Sequence, residues 1–367
     1  MKLECGLENL KKILPVIDRI TGKNLTLQIL SSVLLIANGK TLKIRATNLD
    51  LGIEVEIPVK IEKEGVVAIK SSVFNNFLNS LHNEKNIFLE LQNDNLKISS
   101  PSTTALLKTQ PHADFPTIPT LTNGKTFSIE AKKLISGISS VFYSASLSDI
   151  KPEIATIYIH HQGDELIFVA TDSFRLAEKR VKIKNTADIE DILIPFKNIN
   201  EIVKVLELCG EKEVKIVFSK NQISFFYENT YLTSRLIDGI FPDYAQIIPK
   251  EYKTTTTILK DDLANALKSN NLFTDKFNQV SISVDPTKKE LFLYTKSGEV
   301  GEIKSKINGS FSGEKIQANF NYRYLFDVFQ SIQNESITLS FVSESKPVTI
   351  QGVGDQSFLY LVMPLNR

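Results

Sequence analysis

Hydrophobic and polar positions alternate along this chain in a pattern that recurs once in each third. The three copies are Leu42-Lys-Ile-Arg-Ala-Thr-Asn-Leu-Asp-Leu-Gly-Ile-Glu-Val55, Ile167-Phe-Val-Ala-Thr-Asp-Ser-Phe-Arg-Leu-Ala-Glu-Lys-Arg-Val181 and Leu291-Phe-Leu-Tyr-Thr-Lys-Ser-Gly-Glu-Val-Gly-Glu-Ile303. Apolar residues alternate on both sides of a polar turn led by threonine, which predicts strand, tight turn and strand. Thr47, Thr171 and Thr295 stand 124 residues apart in both intervals. A fixed period of that length implies tandem domains rather than a solenoid.

A second period, that of the helix, appears twice in each third. Leu10, Ile13, Leu14 and Ile17, then Leu134, Gly137, Ile138 and Val141, then Leu263, Ala266 and Leu267 place small or apolar residues at i, i+3, i+4 and mostly i+7. Each set predicts one buried stripe. Asp261 and Asp262 suit the first turn of the third copy, and Pro15 is expected to kink or shorten the first. The second helix of each third carries Val73 and Phe77, Ile199 and Val203, and Leu325 and Phe329, with Phe74, Leu78, Leu81, Ile202, Leu206, Val328 and Ile332 continuing the stripes. Asn86 to Ser99, Glu213 to Leu236 and Ser336 to Val362 read as strands joined by Asn, Gly, Lys and Ser turns. The expected fold class is therefore α+β, three tandem copies of a domain with two helices and antiparallel sheet. Proline-rich connectors at 112–120 and 239–249 set the boundaries, giving domains 1–120, 121–249 and 250–367.

Composition excludes more than it selects. The 367 residues carry a net charge of +1 and two cysteines, Cys5 and Cys209, too few and too far apart for a disulfide framework or an all-cysteine metal site. No apolar run is long enough to span a membrane. The N-terminus lacks the apolar core of a signal peptide, and the expected location is the cytoplasm. Phosphate-loop, dinucleotide, zinc-protease and nucleophile-elbow motifs are absent. His160 and His161 are adjacent on a strand and point to opposite faces, so a metal pair is not expected. Asp172 and Arg175 suggest a hydrolase only in outline, because no second carboxylate, histidine or nucleophile stands at a telling spacing. No catalytic residue, cofactor or metal is assigned.

The polar faces of the six helices carry an excess of Lys, Arg, Asn and Gln, among them Lys11, Lys12, Lys132, Lys133, Lys197, Lys204, Lys268 and Arg323. Three copies of one unit arranged about a common centre would point such faces the same way, giving contact with phosphates that is salt-dependent and blind to sequence. Four stretches then carry a resemblance: Thr26-Leu-Gln-Ile-Leu30, Ala170-Thr-Asp-Ser-Phe-Arg-Leu176, Leu236-Ile-Asp-Gly-Ile-Phe-Pro-Asp-Tyr244 and the terminal Val362-Met-Pro-Leu365. Together, and in register over the whole chain, they resemble the bacterial sliding clamps, the beta subunits of DNA polymerase III.

The resemblance implies a head-to-tail homodimer of six like domains closed into a ring around duplex DNA, tethering the replicative polymerase without any enzymatic activity. It implies further partners in a clamp loader, repair polymerases and mismatch-repair factors, and no membrane. A hydrophobic cleft for partner peptides would include Ile154, Thr171, Phe174, Arg175, Leu176, Pro242 and Ile247, with Asn321, Tyr324, Pro347, Val362, Met363, Pro364 and Leu365 from the last third. Lys23 and Asn24 lie where the family commonly sets an arginine against DNA. The dimer seam would join Leu272 and Phe273 to Leu106 and Leu107. Phe174 stands where histidine is frequent, which turns one polar contact apolar. The competing reading is a monomeric tandem-domain scaffold that binds no DNA.

Overall fold

The computed structural model describes residues 1–22, 27–121, 123–183 and 189–365. Among the described residues six α-helices form where the 3.6-residue period falls: α1 Leu7–Ile20, α2 Ser71–Ser80, α3 Ala131–Val141, α4 Phe196–Glu207, α5 Lys260–Asn271 and α6 Tyr322–Asp327. The expected stripes are buried, including Leu10, Ile13, Leu14 and Ile17 on α1 and Ile199, Ile202 and Leu206 on α4. Two details differ. Pro15 does not end α1, which runs on to Ile20 because Leu14, Ile17 and Ile20 continue the buried stripe past it. Val73 is 43% exposed, and Phe74 and Leu78 supply the buried face of α2. Gly137 of α3 is required by packing, since a Cβ there would fall 2.4 Å from the ring of Phe168.

The chain divides into two compact units, one of Met1–Ile135 with Lys197–Leu236, the other of Ser136–Phe196 with Ile237 onward. Neither unit is a sequence third, and strand pairing gives the reason. In the first unit, the middle-third strand Thr230–Arg235 pairs antiparallel with Leu51–Pro58 of the first third, Leu232 opposite Ile53. That junction fuses their strands into one thirteen-stranded sheet among the described residues. In the second unit, Arg175–Lys182 of the middle third pairs in the same way with Phe358–Val362 of the last, Leu176 opposite Leu361. The result there is a nine-stranded sheet, beside a four-stranded one running Gly301–Ile307, Glu290–Ser297, Gln279–Asp285, Ile316–Asn321.

Alternation follows the pleat in strands such as Asn95–Ser99 and Ile316–Asn321, whereas Glu165–Thr171 and Ile192–Pro195 are buried on both faces. In the second unit Ile154, Ile167, Val169, Leu176, Leu193, Phe241 and Leu361 form one buried cluster. Cys5 and Cys209 are both free and buried, and burial pushes the Cys5 thiol up to about 12, which leaves it inert near neutrality. No described helix is long and apolar enough to cross a membrane.

Candidate functional site

Thr-Asp-Ser-Phe-Arg at 171–175 builds a heavily bonded turn in the second unit. The Thr171 hydroxyl donates to Arg175 O at 2.7 Å and accepts from Ser173 N at 3.1 Å. Asp172 Oδ1 accepts from Phe174 N and Arg175 N at 2.9 and 3.0 Å. With those donors satisfied, Ser173 is held at a φ of 77°, and Phe174 is left 57% exposed and stacked against Tyr324 at 6.5 Å. Phe174 O then accepts from Met363 N at 2.8 Å, which draws the chain's last apolar segment onto the turn.

Arg175 points inward from the same turn. Its Nε binds Asp172 Oδ2 at 2.9 Å, an Nη reaches Asp327 at the end of α6, and the guanidinium lies 4.6 Å from the centroid of the Tyr324 ring. Burial alone would lower its pKa, but Tyr360, Asp327 and Asp172 outweigh that and the net shift is upward. With its side chain only 12% exposed, Arg175 is a positioning cation. Both oxygens of Asp172 are committed as well, one to the turn's backbone and one to Arg175.

Beside this turn lies an apolar trough of about 500 Å³. It is lined by Ile247, Ile248 and Pro249 of the connector, by Val342, Ser345 and Pro347 of the last third, and by Met363. Gln246, Lys250, Glu251 and Lys346 complete the lining, so the hollow combines apolar surface for a side chain with polar groups that can hold a peptide backbone. Ile247, Pro347 and Met363 were expected from the sequence. Ile248, Pro249, Val342 and Ser345 were missed, although the run Ile247-Ile248-Pro249 offered a signal. Ile154, Leu176 and Val362 are almost wholly buried, so they support the trough without lining it, and Pro364 is buried while Pro242 is exposed. Asn321 caps α6, accepting from Arg323 N at 2.9 Å. Leu365 donates from its backbone to Asn319 O and lines a separate hollow of about 530 Å³ with Phe277, Tyr294 and Thr295.

The candidate phosphate-facing cations mostly have partners. Lys11 donates to Leu81 O at 2.6 Å, tying α1 to the end of α2. Lys132, Lys133, Lys197 and Lys204 pair with Glu211, Glu130, Asp50 and Glu207, Lys268 lies 5.8 Å from the centroid of Phe326, and Lys12 and Arg323 are exposed. Exposed pairs of this kind are worth about 0–1 kcal/mol, so an approaching phosphate can exchange for the carboxylate. Lys23 and Asn24 lie outside the described residues. Leu106 and Leu272 are 63% and 71% exposed, with Leu107 and Phe273 half-buried.

Comparison with known proteins places these features in one family. Residues 1–119, 128–243 and 245–366 match, in order, the N-terminal, central and C-terminal domains described for the DNA polymerase III beta subunit. The chain is similar to the beta sliding clamp of Synechococcus elongatus, 26% identical over all of this chain and 99% of the other. It is also similar to that of Streptococcus pneumoniae, 27% identical over 95% and 94%. Among solved structures, the beta subunit of Thermotoga maritima DNA polymerase III superposes with a TM-score of 0.94 at 25% identity, covering 100% and 99% of the two chains. The Pseudomonas aeruginosa sliding clamp bound to griselimycin superposes with a TM-score of 0.95 at 23% identity, covering both chains in full. With all three of its thirds matched, the chain belongs to the DNA polymerase III beta subunit family, the sliding clamps.

Proposed function

We propose that the trough of Ile247, Pro347 and Met363 is the place where this clamp takes apolar segments of its partners. The chain is a processivity clamp that encircles duplex DNA and tethers the replicative polymerase. The observation that carries the docking reading is a solvent-open trough with exposed Ile247 and with Met363, Pro347 and Pro249 in its lining, because apolar surface supplies most of the affinity for a short peptide. Phe174, Arg175 and Tyr324 form the adjoining shelf, and the buried Ile154, Leu176 and Val362 hold it in place. We extend the partners to a clamp loader, repair polymerases and mismatch-repair factors, assign no enzymatic step, and place the protein in the cytoplasm with domains 1–120, 121–249 and 250–367.

Repetition also suggests how the ring closes. Leu51–Pro58 takes Thr230–Arg235, and Arg175–Lys182 takes Phe358–Val362. The third strand of this series, Gly301–Ile307, pairs only with Glu290–Ser297 among the described residues. Thr104–Gln110, which corresponds to Thr230–Arg235 and Phe358–Val362, has an open edge along Thr104–Lys108. An open edge is a template for another strand. The same pairing made a third time, onto the strand Thr104–Gln110 of the partner subunit, gives a head-to-tail dimer with Leu106, Leu107, Leu272 and Phe273 at the seam. Lys12, Lys132, Lys133, Lys197, Lys204, Lys268 and Arg323 would then serve sequence-independent phosphate contact.

One experiment tests ring and trough together. The protein is expected to have a dimer mass by light scattering, to stay on primed circular DNA after loading, and to leave once the circle is cut. The double variant Met363→Ala, Pro364→Ala should remain on the circle but bind griselimycin about tenfold more weakly, the scale of losing buried apolar contacts. Retention on linear DNA would refute topological tethering. Unchanged griselimycin affinity in the folded double variant would refute the trough assignment.

A further inference from the structure

The connector that makes one wall of the trough is anchored by backbone hydrogen bonds chiefly at its ends. Ile237 N donates to Leu193 O at 3.0 Å, and Lys253 N donates to Phe341 O at 2.9 Å. Between them the chain makes one short 3-10 turn, Tyr244–Ile247. Side chains fix its place. Phe241 and His160 both stack with Tyr158, at centroid distances of 4.6 and 4.9 Å, and Tyr244 meets Tyr158 and Phe241 edge-on. The Tyr244 hydroxyl lies 3.0 Å from His160 Nε2. Tyr244 opens the turn that ends at Ile247, so a shift of the phenol is carried within one turn to the exposed wall of the trough.

The groups around His160 are Tyr158 on its own strand, Asp191 just before the neighbouring strand Ile192–Pro195, Glu178 and Arg180 on Arg175–Lys182, two strands away, and Tyr244. Glu178 is 3% exposed and paired with Arg180 at 2.7 Å. Burial lowers the pKa of His160 against the opposing pull of Asp191 and Glu178, and burial raises that of Tyr244. Near neutrality the contact therefore joins a neutral imidazole to a protonated phenol, a hydrogen bond without net charge.

We propose that His160 and Tyr244 are positioning residues for the trough: their hydrogen bond sets the place of the Ile247–Pro249 wall, although neither side chain lines it. This inference rests on the docking reading above. It accounts for a polar histidine kept half-buried on a strand face otherwise used for packing.

The test is calorimetric titration of the full-length dimer with griselimycin, alongside melting temperature and mass. His160→Leu and Tyr244→Phe should each weaken binding about tenfold, the scale of one lost hydrogen bond. The double variant should be no worse than Tyr244→Phe alone, because that change already removes the bond to His160 along with the hydroxyl's contact with Glu178. His160→Gln, whose amide still reaches the phenol oxygen, should recover to within about threefold of the unaltered protein. Tyr244→Phe keeps the ring packing and so reads the bond even where His160→Leu fails to fold. Unchanged affinity in folded Tyr244→Phe, or no recovery in folded His160→Gln, overturns the proposal. Failure of the trough reading looks different: griselimycin binds, and Met363→Ala with Pro364→Ala leaves it unaffected.

Discussion

In the Thr47–Leu51 turn of the first unit and the Thr171–Arg175 turn of the second, each threonine hydroxyl donates to the carbonyl four residues on at 2.7 Å. The next side chain, Asn48 or Asp172, accepts from the fourth and fifth backbone N–H groups of its turn. Leu49 and Ser173 share a φ of 77°. What differs is charge. Asn48 is a neutral amide and Leu51 is buried, whereas Asp172 has a second oxygen for Arg175, and Arg175 continues to Asp327. A skeleton of hydrogen bonds is what the period preserves; two charged residues at equivalent positions turn one copy into the anchor of a site.

The harshest way to break that comparison is to convert the second turn into the first. Arg175→Leu leaves Asp172 and Asp327 without their cation, and urea unfolding should register a loss of about 2–3 kcal/mol, toward the low end for broken buried pairs because Asp327 is partly exposed. A loss below about 0.5 kcal/mol would class the network with exposed ion pairs. Next in size, Thr47→Val and Thr171→Val each remove a donor and an acceptor from the same skeleton, and each should cost about 1–2 kcal/mol. Costs that differ by more than about 1 kcal/mol would show that the two skeletons are not equivalent. The smallest effect belongs to Leu49→Gly and Ser173→Gly. Relief of the left-handed conformation slightly outweighs the added freedom of the unfolded chain, for a gain of about 0.5 kcal/mol; a clear destabilisation of either would mean that its side chain packs usefully.

The third copy marks the limit of reading by period. Thr295 was aligned with Thr47 and Thr171, yet its hydroxyl donates to Asn270 Oδ1 at 3.0 Å and its strand runs on to Ser297. The turn follows at 298–300, before Gly301 at a φ of 124°. Position and residue type were repeated while the hydrogen-bond partner was not, because Asn270 on α5 competes for the hydroxyl. The trough shows the same limit. Met363, Pro347 and Ile247 were legible through the resemblance, but Val342 and Ser345 belong to a hairpin loop whose place depends on how Val348–Gly352 pairs with Ser336–Phe341.

The sequence alone determined the triplication, the six helices with most of their buried stripes, the Thr-led turns of the first two copies and the family. All of these rest on local periodicity or on residues close in the chain. Only the tertiary structure decided that strands of neighbouring thirds fuse into common sheets and that Arg175 is bound to Asp327 rather than open to a ligand. It also decided that Lys11 is tied to Leu81, and that His160 meets Tyr244 84 residues away. These are pairings between residues far apart in sequence, and a hydrophobic pattern specifies which face is buried without specifying what will lie against it.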